Sequence, residues 1–200
     1  ADQSVGTGTY FGAEATVLRS EGERGVGAVS NSLPLPLPDA PVQVRQTLDF
    51  EERSLGLHLN QLAGRHWSFG ARYRVSEARL TGRFPDLAAA IPGVAELAQD
   101  ESSILQQIGF SARFTHESGL FAQWDSDWYC QHNRGFPGAV ADDTFWQHSL
   151  YLGYRLPRRQ AEIRIGVANL TDQDYRLSPL NLVGDLPRGQ TLVATLRLNF

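Results

Sequence analysis

Methionine and lysine are missing from the chain, and cysteine occurs once, at Cys130. A single thiol forms no intrachain disulfide. Cys130 with His132 offers two metal ligands where structural zinc takes four, so no metal site is expected there. No stretch approaches the roughly 18 consecutive apolar residues of a membrane helix, and the mean hydropathy is -0.30. These values leave open a protein that crosses a membrane with strands, because only alternate strand residues meet lipid. The formal net charge is -4, which gives no reason to expect a nucleic-acid partner. All 18 basic residues are arginines, and we attach no function to that. No basic segment leads into an apolar run at the start, so no signal peptide is visible. A chain that opens on Ala1 and lacks Met reads as a processed protein or a piece of a longer one. No Ser-His-Asp or zinc-protease motif is present. The chain is expected to be neither an enzyme nor a cofactor binder.

What is present is period-two alternation in segments divided by turn residues. The first expected strand, 6–19, puts Phe11, Ala13, Ala15 and Val17 on one face and Gly12, Glu14 and Thr16 on the other. The 20–41 connection carries Pro at alternate positions from Pro34 to Pro38, which removes ladder donors and predicts an extended loop. A second strand, 42–62, aligns Leu55, Leu57 and Leu59, with a break in pattern near 50–53 that predicts a bulge or an exit above a membrane. After a tight turn at 63–66, the third strand aligns Trp67, Phe69, Ala71, Tyr73 and Val75 against Ser68, Gly70, Arg72, Arg74 and Ser76. The 81–103 connection holds an Ala/Leu-rich stretch, 86–100, compatible with a short helix that Pro92 and Gly93 would interrupt.

Further strands are expected at 104–116, 120–131, 144–156, 161–170 and from Thr191 to the end. The 132–143 loop and the 171–189 connection separate them, with short turns at 117–119 and 157–160. The predicted fold class is all-β, an antiparallel transmembrane β-barrel with about eight strands in this chain, one region throughout and without a plug domain.

Three features favour a membrane barrel over a soluble sandwich or lipocalin-like barrel, which shares the alternation. Connections alternate long and short, as extracellular loops and periplasmic turns do. Trp67, Trp124, Trp128, Trp146, Tyr154 and Phe200 lie toward the ends of the apolar faces, where rings prefer the membrane–water boundary. The opposite face carries Glu14, Arg72, Arg74, Arg113, Asp125, Asp127, Arg164 and Arg197, which a wet lumen tolerates and a sandwich interior does not. An Arg facing lipid at mid-depth costs about 2–4 kcal/mol, so these arginines are expected to face inward. Backbone groups in lipid must also be paired, so the sheet must close or belong to a larger closed one.

The end of the chain adds a resemblance. The segment Val167–Tyr175, V-A-N-L-T-D-Q-D-Y, resembles the V-x-N-L-(F/T)-D-x-x-Y stretch near the end of TonB-dependent outer-membrane receptors. The polar loop with Asn181, the P-R-G-Q-T run 187–191 and the closing L-R-L-N-F run 196–200 are similar to that family's ending. The strong likeness covers only 167–200; the 53–80 hairpin resembles the family less specifically. The resemblance implies a barrel of about 22 strands around a plug and energised import of siderophores, haem, cobalamin, sugars or metals. It also implies outer-membrane lipid as surroundings and a barrel-assembly machinery that reads Leu196, Leu198 and Phe200. A TonB-type coupling protein would act only through an N-terminal region that this chain lacks. Two readings follow: the C-terminal part of a receptor barrel, or a small stand-alone barrel acting in adhesion or envelope integrity. Pairing of the first strand with the last would mark the second; two open edges would mean missing strands.

Other signals carry less. The glycines Gly6, Gly8 and Gly12 lack the spacing and following helix of a nucleotide-binding loop. Asp125 and Asp127 share a face, as paired catalytic carboxylates do, but lumen charge balanced by arginine is the simpler role. Asp142 and Asp143 sit in an expected external loop, where they are candidates for calcium or ligand contact. The transported nutrient is not legible.

Overall fold

The computed structural model describes residues 2–5, 8–28, 42–86, 98–136, 138, 140–156, 160–184 and 186–198. It is all-β, with no helix among the described residues. One antiparallel sheet runs in chain order through β1 (Asp2–Val5), β2 (Thr9–Ala28), β3 (Val42–Ala63), β4 (Trp67–Arg83), β5 (Gln99–Thr115), β6 (Leu120–Arg134), β7 (Asp143–Arg155), β8 (Ala161–Ala168) and β9 (Thr191–Leu198). The sheet is open. Among the described residues no pairing joins β1 to β9, and both are edges. Simple up-and-down order places every short turn at one end of the sheet and every long connection at the other.

Register turns the alternation of single strands into two continuous faces. Directly opposed residues share a face. One row therefore links Ala13, Leu57, Tyr73, Ile108, Trp128 and Trp146. Another links Trp67, Phe114, Ala122, Leu152, Ile165 and Ala194. Leu120, Tyr154, Ile163 and Leu196 form the row beyond it. This face stays bare: Leu57, Phe69, Leu152, Ile165 and Leu196 are all exposed. A one-residue slip in any strand would exchange its two faces, so the match of rows from strand to strand is specific.

The strands run further than their alternation suggests. β2 continues past 19 to Ala28, β4 past 80 to Arg83, and β5 begins at Gln99. Beyond the apolar rows the same outward face becomes charged. Arg19 and Arg53 both reach Glu51 (3.2 and 2.7 Å), and Arg79 holds Asp100 through two nitrogens (2.9 and 2.8 Å). The bulge expected near 50–53 is absent: Phe50 to Arg53 pair in unbroken register with both neighbours. What changes there is the chemistry of the outward side chains, not the ladder. β6 and β7 likewise shorten the expected 132–143 loop to 135–142. The helix expected within 86–100 lies largely outside the described residues, as does the whole of the proline-bearing 29–41 segment.

Candidate functional site

The polar face is where charged side chains meet. On it the row through β4, β5 and β6 is Arg72, Gly109, Asp127. Arg72 Nη2 donates to Asp127 Oδ1 at 2.7 Å across the intervening strand. Gly109 makes that crossing possible: a Cβ there would sit 2.4 Å from Arg72 Nε and 2.5 Å from Asp127 Oδ1. Toward the short-turn end, Glu162 binds Arg155 at 2.7 Å and Arg113 at 3.6 Å. The Arg113 guanidinium also lies 3.9 Å from the centre of the Phe121 ring, and Arg164 lies 4.5 Å from that of Tyr151, a cation–π arrangement.

All eight polar residues expected on the lumen side share this face. Asp125 accepts two hydrogen bonds from Gln123 (3.0 and 2.9 Å). Arg74 donates to Ser54 at 3.4 Å, and Glu14 accepts from Thr16 at 3.2 Å on the exposed β2. Arg197 stands opposite Glu162. Arg72, Arg74, Asp125 and Asp127 line one open hollow of about 800 Å³ together with Gln107, Gln147, Ser149 and Tyr151. Glu14, Arg113, Arg164 and Arg197 do not line it.

The roof of the hollow is the 169–190 connection, which folds back over the polar face as a strap. Sequence periodicity gives it no structure, yet it holds several of the most buried polar groups. Asn169 is fully buried, with φ of 51°. Its Nδ2 donates to the carbonyls of Gln173 (2.9 Å) and Pro187 (3.2 Å), pinning both arms of the strap to one side chain. Its own Oδ1 accepts the Gln173 amide at 2.9 Å. Asp172 accepts the Gln190 amide at 2.8 Å. The Tyr175 hydroxyl donates to the Leu186 carbonyl at 2.8 Å, and its ring stacks on Phe145 at 5.2 Å. Tyr175, Leu177, Val183 and Leu186 thereby cover an apolar cluster of Leu105, Tyr129 and Phe145.

Gln131 and Asn181 join strap to sheet. Gln131, with no exposed surface, accepts the Ser178 amide and donates to Ser178 O (3.2 Å) and Asn181 Oδ1 (3.0 Å). Asn181 Nδ2 in turn donates to Ser76 O (3.2 Å), Ser76 Oγ (3.1 Å) and Ser103 O (3.4 Å). Buried polar groups matched this completely specify one docking geometry. Alternation along the chain does not single out Gln131, Asn169 or Ser178. The one signal available is that Asn169 and Tyr175 stand at fixed places in the Val167–Tyr175 motif.

Of the aromatics expected at the membrane border, Trp67, Trp124, Trp128, Trp146 and Tyr154 share the apolar face. Trp128 opposes Trp146 toward the long-loop end, and Tyr154 opposes Leu120 toward the short-turn end. Trp67 stacks on Phe69 at 5.8 Å and meets Phe114 at 5.1 Å near the same end. Trp124 is displaced from the border expected for it: its row runs through Ala112, Leu150 and Val167, mid-way along the apolar rows. Leu196 and Leu198 are exposed on β9, while Phe200 lies outside the described residues. Comparison with family profiles, curated proteins and solved structures finds no match.

Proposed function

We propose that this chain is a membrane-spanning section of an outer-membrane β-barrel of the TonB-dependent receptor type, serving uptake of a siderophore or another scarce nutrient. The carrying observation is the in-register apolar face. On β6 it runs from Leu120 to Cys130; ten steps of about 3.3 Å at a tilt near 40° give a height of about 25 Å. That matches the apolar band of outer-membrane barrels. Water on the other face would explain why arginines and aspartates gather there. Exposed apolar rows on this scale, interrupted at mid-strand only by the opposed Ser126 and His148, mark a membrane or partner surface rather than the surface of a freely soluble monomer.

Two open edges favour a section of a larger closed sheet over an eight-stranded stand-alone barrel, because unpaired backbone in lipid costs several kcal/mol per group. Further strands would then supply the closure, the barrel-assembly machinery would read the β9 apolar residues, and coupling to a TonB-type protein would require a region beyond this chain. In this reading the hollow under the strap is the ligand-facing site.

The test is depth. The chain is folded into vesicles containing lipids brominated at different positions along the acyl chain, and single-tryptophan variants are compared. Trp124 should be quenched best by deep bromines, and Trp67, Trp128 and Trp146 by shallow ones. Tryptophans shielded from every brominated lipid would end the proposal.

A further inference from the structure

One cluster on the apolar side joins a nucleophile, a base and an acid. Cys130 and Thr144 are direct partners across β6 and β7. His132 lies two residues on, on the same face. Asp142 immediately precedes β7, where the antiparallel register carries it beside His132. Cys130 Sγ is 3.5 Å from His132 Nε2, and His132 Nδ1 is 2.9 Å from Asp142 Oδ2. Thr144 Oγ1 donates to the sulfur at 3.3 Å. The Asn133 amide donates to Asp142 Oδ1 at 2.8 Å. Hydrogen bonds from His132 and that amide hold the Asp142 carboxyl below its ordinary range. An ionised Asp142 fixes the imidazole tautomer, with Nδ1–H toward the carboxylate and the Nε2 lone pair toward sulfur. Nucleophile, base and orienting group are each within reach of the next, the geometry of an activated thiol. Among the described residues no group of three His, Cys, Asp or Glu is placed to hold a metal.

Position selects the electrophile. Cys130 is the next residue on the apolar face after Trp128, with 9% of its surface exposed beside the exposed His132, at the border between apolar rows and charged strand ends. Along the same face two apolar hollows lie between the rows, one of about 430 Å³ lined by Leu150, Leu152, Ile165 and Val167, the other of about 460 Å³ beside Ala122 and Tyr154. From Thr144 to Leu150 is about 20 Å of strand. At the usual tilt that is about 15 Å of depth, half of a roughly 30 Å hydrocarbon core. An acyl chain attached at Cys130 would therefore end at the first hollow.

We propose that Cys130 is an acyl-acceptor site, taking a long-chain acyl group from an activated acyl ester or thioester. In the step, Sγ attacks the acyl carbonyl while His132 Nε2 accepts the thiol proton. The new C–S bond forms, the bond from carbonyl carbon to the leaving oxygen or sulfur breaks, and His132 returns the proton to the leaving group. No oxidant or reductant enters. The choice of a long acyl chain rests on the membrane-spanning reading; the thiol chemistry does not.

The whole chain in detergent micelles is treated with p-nitrophenyl palmitate, palmitoyl-CoA or, as a short-chain control, p-nitrophenyl acetate, and acylation is followed by intact mass and peptide mapping. A single palmitoyl adduct on Cys130 is expected, formed roughly 10²-fold faster than on glutathione in the same micelles and faster than acetylation. Reaction with only one of the two palmitoyl donors identifies the leaving-group class and still supports the site. C130A abolishes the adduct, H132Q slows it roughly 10²-fold, and D142N slows it less while shifting its pH profile. His132 faces Ile104 across to β5; Asp142 is the charged group bonded to it and Arg134 acts on Asp142, so the profile reports this cluster. No Cys130 adduct above the glutathione rate, or an unchanged rate in H132Q, would overturn the proposal. Acetylation without palmitoylation would refute the long-chain class while leaving the membrane reading to the brominated-lipid measurement.

Discussion

Replacing Asn181 by alanine should release the strap while leaving the sheet intact. Its amide nitrogen donates to Ser76 and Ser103, and its oxygen accepts from Gln131. The truncation leaves Gln131 Nε2 with Ser178 O alone, and strips a donor from two buried carbonyls and a buried hydroxyl. Removing one partner of a buried hydrogen bond costs about 1–3 kcal/mol. Several bonds go at once, but water entering the freed space restores some of them, so we expect about 2–3 kcal/mol at the strap. Each 1.4 kcal/mol is tenfold in an equilibrium, which predicts roughly 30- to 150-fold faster exchange at amides that report docking. Those amides are Ser178, bound to Gln131, and Leu182, bound to Glu52 at 3.3 Å. Native-state hydrogen exchange of the protein in micelles measures them directly. Local opening spares the β4–β6 ladder, so Tyr73 and Ile108 should exchange as in the parent. An acceleration spread evenly over strands and strap would show that the strap has no separate docking equilibrium. A change below threefold at Ser178 would show that Asn181 contributes nothing.

Other outcomes follow from the same geometry. Leu152→Arg on the apolar face should cost about 2–4 kcal/mol of folding free energy in vesicles, and Ser111→Arg, opposite Asp125 on the polar face, under about 1 kcal/mol, read from urea titrations; equal costs would contradict the assignment of faces. Gly109→Val should displace the Arg72 side chain and break its contact with Asp127 while far-ultraviolet circular dichroism keeps its strand signal, with the loss read as a lowered urea midpoint that Arg72→Ala in the same background no longer lowers further. Acidification should release the Asn133 amide from Asp142. The carboxyl is depressed in the folded chain, so its contribution is complete above the ordinary value of 3.8 and fades as pH falls through the lowered one. Amide exchange at Asn133 tracks this, and D142N should remove the pH dependence.

Strand centres are legible in the sequence because one physical demand governs them: alternate residues must be apolar across the proposed membrane. The strand ends are not, because beyond that zone the outward positions can be ion-paired. Arg19, Glu51 and Arg53 break the hydrophobic alternation without breaking the ladder, and they make a continuous strand look like a bulge. The strap is illegible for the converse reason. Its Asn169, Ser178 and Asn181 read as solvated loop residues; Gln131, Ser76 and Ser103 make the burial of Ser178 and Asn181 affordable, and the strap's own Gln173 and Pro187 carbonyls do so for Asn169. Arg72 and Asp127 fall on the same face by alternation alone, but their pairing depends on register and on Gly109 between them. Along the chain Cys130 with His132 falls short of a metal site and Asp142 reads only as a loop carboxylate open to calcium or ligand, because the register that unites the three is invisible there.

Strand length has a consequence for access. β3 has 22 residues whereas β8 and β9 have 8 each, so at about 3.3 Å per residue the ladder falls from about 70 Å at β3 to about 25 Å at the β9 edge. With the short turns level, the rim is steeply slanted. In the proposed barrel, a bulky solute descending toward the arginines and aspartates would be screened by the long β2 and β3 strands and would enter over the low β8–β9 side, across the strap, which would put the 169–190 segment at the doorway rather than at the floor.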